Sequence, residues 1–188
     1  MENKLPKRKH PRLNNFDYGA NGAYFVTICT QNRRCVLSRI VGRGLAPAEE
    51  NGIEYTTLGR IAEQQLLLLQ ERYPSLTIGQ YVIMPNHIHA IFILNDKAAG
   101  VNRRPTTVDI SGEASTRGIT PRPTILDIVC AYKSLTAREC KKKGFEGKLF
   151  QTSFYEHIIR NRNDYIEVVK YIYENPIRWY HDELYSDE

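Results

Sequence analysis

Apolar positions recur along this chain in two periods. Ala23–Thr30, Leu76–Met84 and His87–Leu94 are short runs rich in β-branched and aromatic residues, bounded by Asn21-Gly22, Pro74 and Pro85-Asn86, and each has the length of a strand. Thr57–Tyr73 instead repeats at helical spacing through Leu58, Ile61, Ala62, Leu66 and Leu69, with Gln65 as its one polar interruption and Pro74 as its stop. Thr124–Lys143 does the same through Ile125, Ile128, Val129, Tyr132, Leu135 and Thr136. It closes on Lys141-Lys142-Lys143-Gly144, which suits the negative end of a helix and a glycine stop. Leu149–Ile159 predicts a fourth strand. Asp164, with Glu167 three residues on, predicts a capping box that opens a third helix reaching about Glu174.

The resulting order, β-α-β-β-α-β-α, predicts an α+β fold: a ferredoxin-like split βαβ antiparallel sheet with an additional C-terminal helix. In that topology the first and third strands form the central pair, so His87–Leu94 belongs in mid-sheet. Two stretches interrupt the pattern. Gln31–Glu54 carries Gly42, Gly44, Pro47 and Gly52 and predicts a loop or irregular hairpin. Residues 95–123 have few large apolar side chains to bury and predict a flexible insert. With 188 residues the chain suits one domain over 21–183, preceded by a basic arm at 1–20.

Composition narrows the class only modestly. A net charge of +5 favours an anionic partner. The four cysteines, Cys29, Cys35, Cys130 and Cys140, form no C-x-x-C pair, so reduced thiols and a cytoplasmic location are expected. No apolar run approaches the ~20 residues that span a membrane, and the basic N-terminus has no apolar stretch of a signal peptide behind it.

Candidate chemistry sits where the apolar pattern restarts after Pro85-Asn86. His87 and His89 share one face of the predicted strand while Ile88 enters the other. Two imidazoles in a row on one face of a buried strand, expected to be partly exposed, form half of a metal site, or else are two partly buried histidines at a sheet edge. The third predicted helix bears on this choice. At 100° per residue Tyr165, Ile166, Val169, Ile172 and Tyr173 make an apolar stripe, and Tyr171 falls roughly 160° from its middle. Asn175 follows Tyr171 by one turn on the same side, so the helix offers a phenol and a carboxamide together.

His87-Ile88-His89 after Val82-Ile83-Met84-Pro85-Asn86, together with Asn161-Arg162-Asn163-Asp164-Tyr165 and Tyr171-Ile172-Tyr173-Glu174-Asn175-Pro176, resembles the IS200-like Y1 transposases of the HUH superfamily. The closest match is their REP-associated tyrosine transposase branch, and the resemblance covers most of residues 18–180. It implies a metal-dependent single-stranded DNA endonuclease and strand transferase acting at hairpin-forming DNA. Tyr171 would be the nucleophile that forms a 5′-phosphotyrosine, with His87 and His89 as metal ligands and Asn175 in the place of the third. Two nitrogens and an amide oxygen suit Mg²⁺ or Mn²⁺ better than structural zinc. The expected partner is single-stranded or hairpin DNA, and the expected assembly a monomer or homodimer.

Arg160, Arg162 and Arg178 bracket the tyrosine helix and are candidate phosphate contacts, as is Lys133 on the second helix. His157 reads as a hydrogen-bonded structural histidine, and His10 and His181 as surface residues. Two other functions fit the same pattern. One is a non-catalytic single-strand binding module, stacking bases on Tyr24, Phe25 and Phe92. The other is a domesticated transposase that acts as a regulator.

Overall fold

The computed structural model describes residues 17–41, 52–95 and 123–186. The expected basic arm and the 95–123 insert lie almost wholly outside these residues. Among the described residues, three α-helices and six strands follow in order: β1 (Gly22–Cys29), β2 (Ser38–Ile40), β3 (Ile53–Tyr55), α1 (Thr57–Arg72), β4 (Leu76–Ile83), β5 (His87–Leu94), α2 (Ile125–Lys142), β6 (Tyr155–Ile159) and α3 (Arg162–Glu174). The main sheet has four strands in the order β4-β5-β1-β6, each pairing antiparallel, so β5 and β1 are the central pair. This is the expected α+β architecture. Gln31–Glu54 takes the hairpin option: β2 and β3 pair antiparallel as a separate two-stranded ribbon.

Helices cover both faces. Alternation along β1 and β5 sends Tyr24, Val26, Ile28, Ile88, Ala90, Phe92 and Leu94 to one side, where they pack with Ala62, Leu66 and Leu69 of α1 and Ile125, Ile128, Val129 and Tyr132 of α2. The Tyr132 hydroxyl ties the two helices together by donating to the Ala62 carbonyl at 3.0 Å. The other side carries Phe25, Val82 and Ile91 beneath Val168 and Ile172 of α3, with Trp179 beyond the helix end. β4 turns into β5 across Met84-Pro85-Asn86, and the Met84 amide donates to the His87 carbonyl at 2.8 Å. That turn fixes which residues of β5 face α3.

Several local expectations need correction. The fourth strand is shorter than Leu149–Ile159, because Phe150 makes only an isolated bridge with Thr30 before regular pairing begins at Tyr155. The third helix begins two residues before the proposed cap. Asn161 is the cap, its side chain accepting from the Asp164 amide at 2.9 Å, while the Asp164 carboxylate turns back to the Arg160 amide. The buried face of α3 is also rotated, by roughly 90° from the expected stripe. Val168, Ile172 and Asn175 are buried, whereas Ile166 and Tyr173 are 52% and 56% exposed. Tyr173 is therefore a surface residue. The rotation arises because Val168 and Asn175, not Ile166 and Tyr173, meet Phe25 and the histidines, leaving Tyr171 at the edge of the packed face. Finally, Tyr24 and Phe92 are fully buried in the α1–α2 layer and Phe25 lies under α3, so these three rings form no open platform for bases.

Candidate functional site

The two histidines lie on the α3 face of β5, and both are buried: His87 is 0% and His89 2% exposed. The expectation of partly exposed imidazoles does not hold, because Trp179 and the segment after it close over His87 while Phe25 and Tyr171 flank His89. The two rings stand 4.4 Å apart at 65°.

Hydrogen bonds orient each ring. The Asn86 amide nitrogen donates to the Leu184 carbonyl at 2.7 Å, which turns the Asn86 Oδ1 toward His87 Nδ1, 2.8 Å away. Facing an acceptor, Nδ1 carries the proton and Nε2 keeps its lone pair. That Nε2 is buried with no hydrogen-bond partner. His89 is held from the neighbouring strand, where Thr27 is its register partner and the Thr27 Oγ1 lies 2.9 Å from His89 Nδ1. When Nδ1 donates to that hydroxyl, Nε2 also presents a lone pair. The Tyr171 hydroxyl is 3.4 Å from it.

A carboxylate completes the group. Asp182 follows the 3-10 turn Trp179–His181, and its Oδ2 accepts from Asn175 Nδ2 at 2.7 Å while its Oδ1 accepts from the Leu184 amide at 2.6 Å. Donor atoms of His87, His89 and Asp182 lie within 4.8 Å of one another, the one such group among the described residues. Asn175 is 2% exposed, and with Nδ2 committed to Asp182 its Oδ1 is buried without a partner. Two orphaned lone pairs, on His87 Nε2 and Asn175 Oδ1, beside an imidazole and a carboxylate are what a bound divalent cation would satisfy. The residues therefore fit a metal, and Asn175 both adjoins the cluster and holds Asp182 in it. Because it does two jobs, its loss should cost more than that of a single neutral oxygen.

Electrostatics point the same way. Burial holds both imidazoles below their usual range. For His87, Asp182 and Asn175 oppose that shift and Arg33 adds to it; for His89, the neighbouring His87 adds to it. Neutral imidazoles are the form that ligates. The Tyr171 phenol, 46% exposed as a residue, is pushed up to about 12, first by desolvation and then by the Asp182 and Glu183 charges. Uncompensated, that site disfavours a phenolate.

The remaining candidates scatter. Arg160 and Arg162 are exposed at the start of α3, and Arg178 lies beyond its end, paired with Glu174 at 2.9 Å. Thirteen helical residues separate the two ends by about 20 Å, so these cations do not form one patch. Lys133 sits on α2 and donates to the Thr152 carbonyl at 2.8 Å. His157 bonds through Nε2 to the Asp164 carboxylate at 3.0 Å, the structural role expected of it. Sequence reasoning missed Asp182, Thr27, Asn86 and Arg33. Arg33 donates to the Glu183 carbonyl at 3.1 Å, and so helps hold the Asp182 segment against the site.

No family model matches the chain. Its sequence is 29% identical over 185 residues to an uncharacterized protein of Haemophilus influenzae, covering 96% of this chain and 94% of that one. Among solved structures, a REP-associated tyrosine transposase bound to a REP hairpin is similar with a TM-score of 0.54 at 23% identity, over 89% of this chain and 74% of that one. That likeness establishes the fold: the chain shares the mixed α+β, four-stranded antiparallel architecture of the transposase. No helix among the described residues is long and apolar enough to cross a membrane.

Two predictions follow from the buried pair. In chelator-treated protein the unfolded chain binds protons that the folded histidines refuse. Stability is thus fully present above about pH 6.5 and falls as pH drops below it, by up to ~1.4 kcal/mol per pH unit per histidine. Urea unfolding at about pH 7 and about pH 5.5 should show this loss, and it should shrink in His89→Gln; equal losses would mean that His89 titrates normally. Thr27→Val keeps the shape of the strand and removes the partner of His89, so calorimetric titration should show Mn²⁺ binding weakened by about 10–100-fold. Unchanged affinity would show that Thr27 does not orient a ligand.

Proposed function

We propose that this protein is a metal-dependent single-stranded DNA nicking and joining enzyme, a transposase-like HUH nuclease that uses Tyr171 as its nucleophile at hairpin-forming DNA. The observation that carries the reading is the 3.4 Å approach of the Tyr171 hydroxyl to His89 Nε2, at the rim of a cluster with two orphaned ligand atoms. The similar transposase, bound to a REP hairpin, supports the choice of substrate.

His87, His89, Asp182 and Asn175 would hold a divalent cation, Mg²⁺ or Mn²⁺. When bound, it supplies Lewis-acid polarisation of the scissile phosphate and offsets the Asp182 charge that raises the phenol. The chain itself does the rest. Thr27 and Asn86 fix the two rings, Asn175 fixes Asp182, and the Trp179 side of the site excludes water. The half-exposed edge of α3 presents Tyr171 Oη to the strand. Oη attacks phosphorus and loses its proton; the P–O3′ bond breaks and the 3′ oxygen gains one. A phosphodiester is exchanged for a 5′-phosphotyrosine, so rejoining needs no nucleotide cofactor. Exposed Arg160 and Arg162 would contact flanking phosphates through exchangeable, salt-sensitive pairs. The single chain brings the site together from its own β5, α3 and the segment after α3.

Burial of Tyr24, Phe25 and Phe92 weighs against a stacking module that works without catalysis. A labelled hairpin oligonucleotide with single-stranded flanks separates the readings. Wild-type protein should nick it with Mn²⁺, Tyr171→Phe should bind it but nick at least about 10³-fold more slowly, and exposed Tyr173→Phe should nick normally. Nicking that survives in Tyr171→Phe would assign the attack to water or to another side chain.

A further inference from the structure

A cleft of about 290 Å³ opens directly beside Tyr171, lined by Phe25, Tyr155, His157, Asp164, Glu167 and Val168. It lies on the catalytic face of the sheet: Tyr155 pairs across β1–β6 with Thr27 and His157 with Phe25. Phe25 connects it to the proposed nucleophile, its ring 5.9 Å from Tyr171 edge-on and 5.1 Å from His89. None of its polar groups serves the metal cluster.

We infer that this cleft is a base-specific subsite that takes one nucleobase bearing an exocyclic amino group, next to the phosphate attacked by Tyr171. The inference rests on the nuclease reading above. Geometry supplies the position, because a nucleotide flanking a phosphate held at Tyr171 Oη carries its base one sugar away, within reach of the cleft that Tyr171 borders. Charge then selects which part of the nucleotide enters. Two carboxylates, Asp164 and Glu167, border the cleft and repel phosphate, whereas a neutral planar base is free to enter. Tyr155, 41% exposed, offers an aromatic face at the edge.

Hydrogen bonding selects among the bases. The Asp164 carboxylate accepts from His157 Nε2 at 3.0 Å and from the Arg160 amide at 3.0 Å. In the tautomer that donates from Nε2–H to Asp164, His157 Nδ1 is an acceptor. The Glu167 carboxylate only accepts. The cleft is thus rich in acceptors. Adenine, cytosine and guanine each bring an amino donor to it, whereas thymine brings only its N3–H, flanked by two carbonyls that the carboxylates repel.

The test uses the full-length chain carrying Tyr171→Phe, so that bound DNA is not consumed, and a hairpin library with randomised single-stranded flanks, selected for binding and sequenced. Enrichment of amino-bearing bases over thymine at one flank position is expected. Adding Glu167→Gln should erase that preference at least about tenfold at that position alone, and Tyr155→Ala should weaken binding about tenfold, as for loss of one base–aromatic stack. Both side chains are on the surface, so folding is preserved. An enriched profile that neither substitution changes overturns the subsite. A parallel reaction with the wild-type chain separates the two claims: adduct formation with an unchanged base profile removes the subsite alone, and a chain that neither binds DNA nor forms an adduct removes the nuclease reading with it.

Discussion

Two imidazoles side by side on the central strand of a sheet, both cut off from water, cannot both be charged and cannot both be left without partners. Much of the α3 side of this protein answers that constraint. Asn86 and Thr27 each engage one Nδ1, and the Leu184 carbonyl fixes the orientation of Asn86. What is left over is an inward-pointing lone pair on His87, matched by one on Asn175. A fold that buries unpaired acceptors next to a carboxylate carries a cost, which a bound cation would reverse.

The segment after α3 follows from the same constraint. Asp182 would be an ordinary tail residue if the chain ran off into solvent. Instead Trp179 packs against His87 and Tyr185, and Arg33, Asn86 and Cys35 bond the carbonyls of Glu183, Leu184 and Ser186. The strap therefore delivers a carboxylate to the cluster and excludes solvent from it. After desolvation, its Asp182 and Glu183 charges also raise the Tyr171 phenol, so in the proposed mechanism the charge that would help hold a cation would disfavour the phenolate without one. In that mechanism Asp182 would couple metal binding to activation of the nucleophile.

Most of the fold was legible in the sequence because its signals are local and periodic. Pro74 and Pro85-Asn86 bound elements whose limits fall within a residue or two of those expected, and the alternation of β5 put His87 and His89 on one face. The orientation of α3 was less legible. A 100° projection favours Ile166 and Tyr173, but the helix packs through Val168 and Asn175, since the groups across from it include polar rings that a hydrophobic stripe does not represent. It still left Tyr171 near the site, at the edge of the buried face rather than opposite it. Asp182 and Thr27 had no sequence signal, and Asn86 was legible only as a turn residue of the motif; tertiary contact alone gives each its role at the site.

The most direct measurement is mass-spectrometric mapping of the protein–DNA adduct trapped with a hairpin substrate and Mn²⁺. The account predicts a 5′-phosphodeoxynucleotide on the peptide that contains Tyr171, fragmenting at that side chain. An adduct on Tyr155, Tyr173 or Tyr180, or cleaved DNA with no adduct at any stage of the reaction, would contradict it.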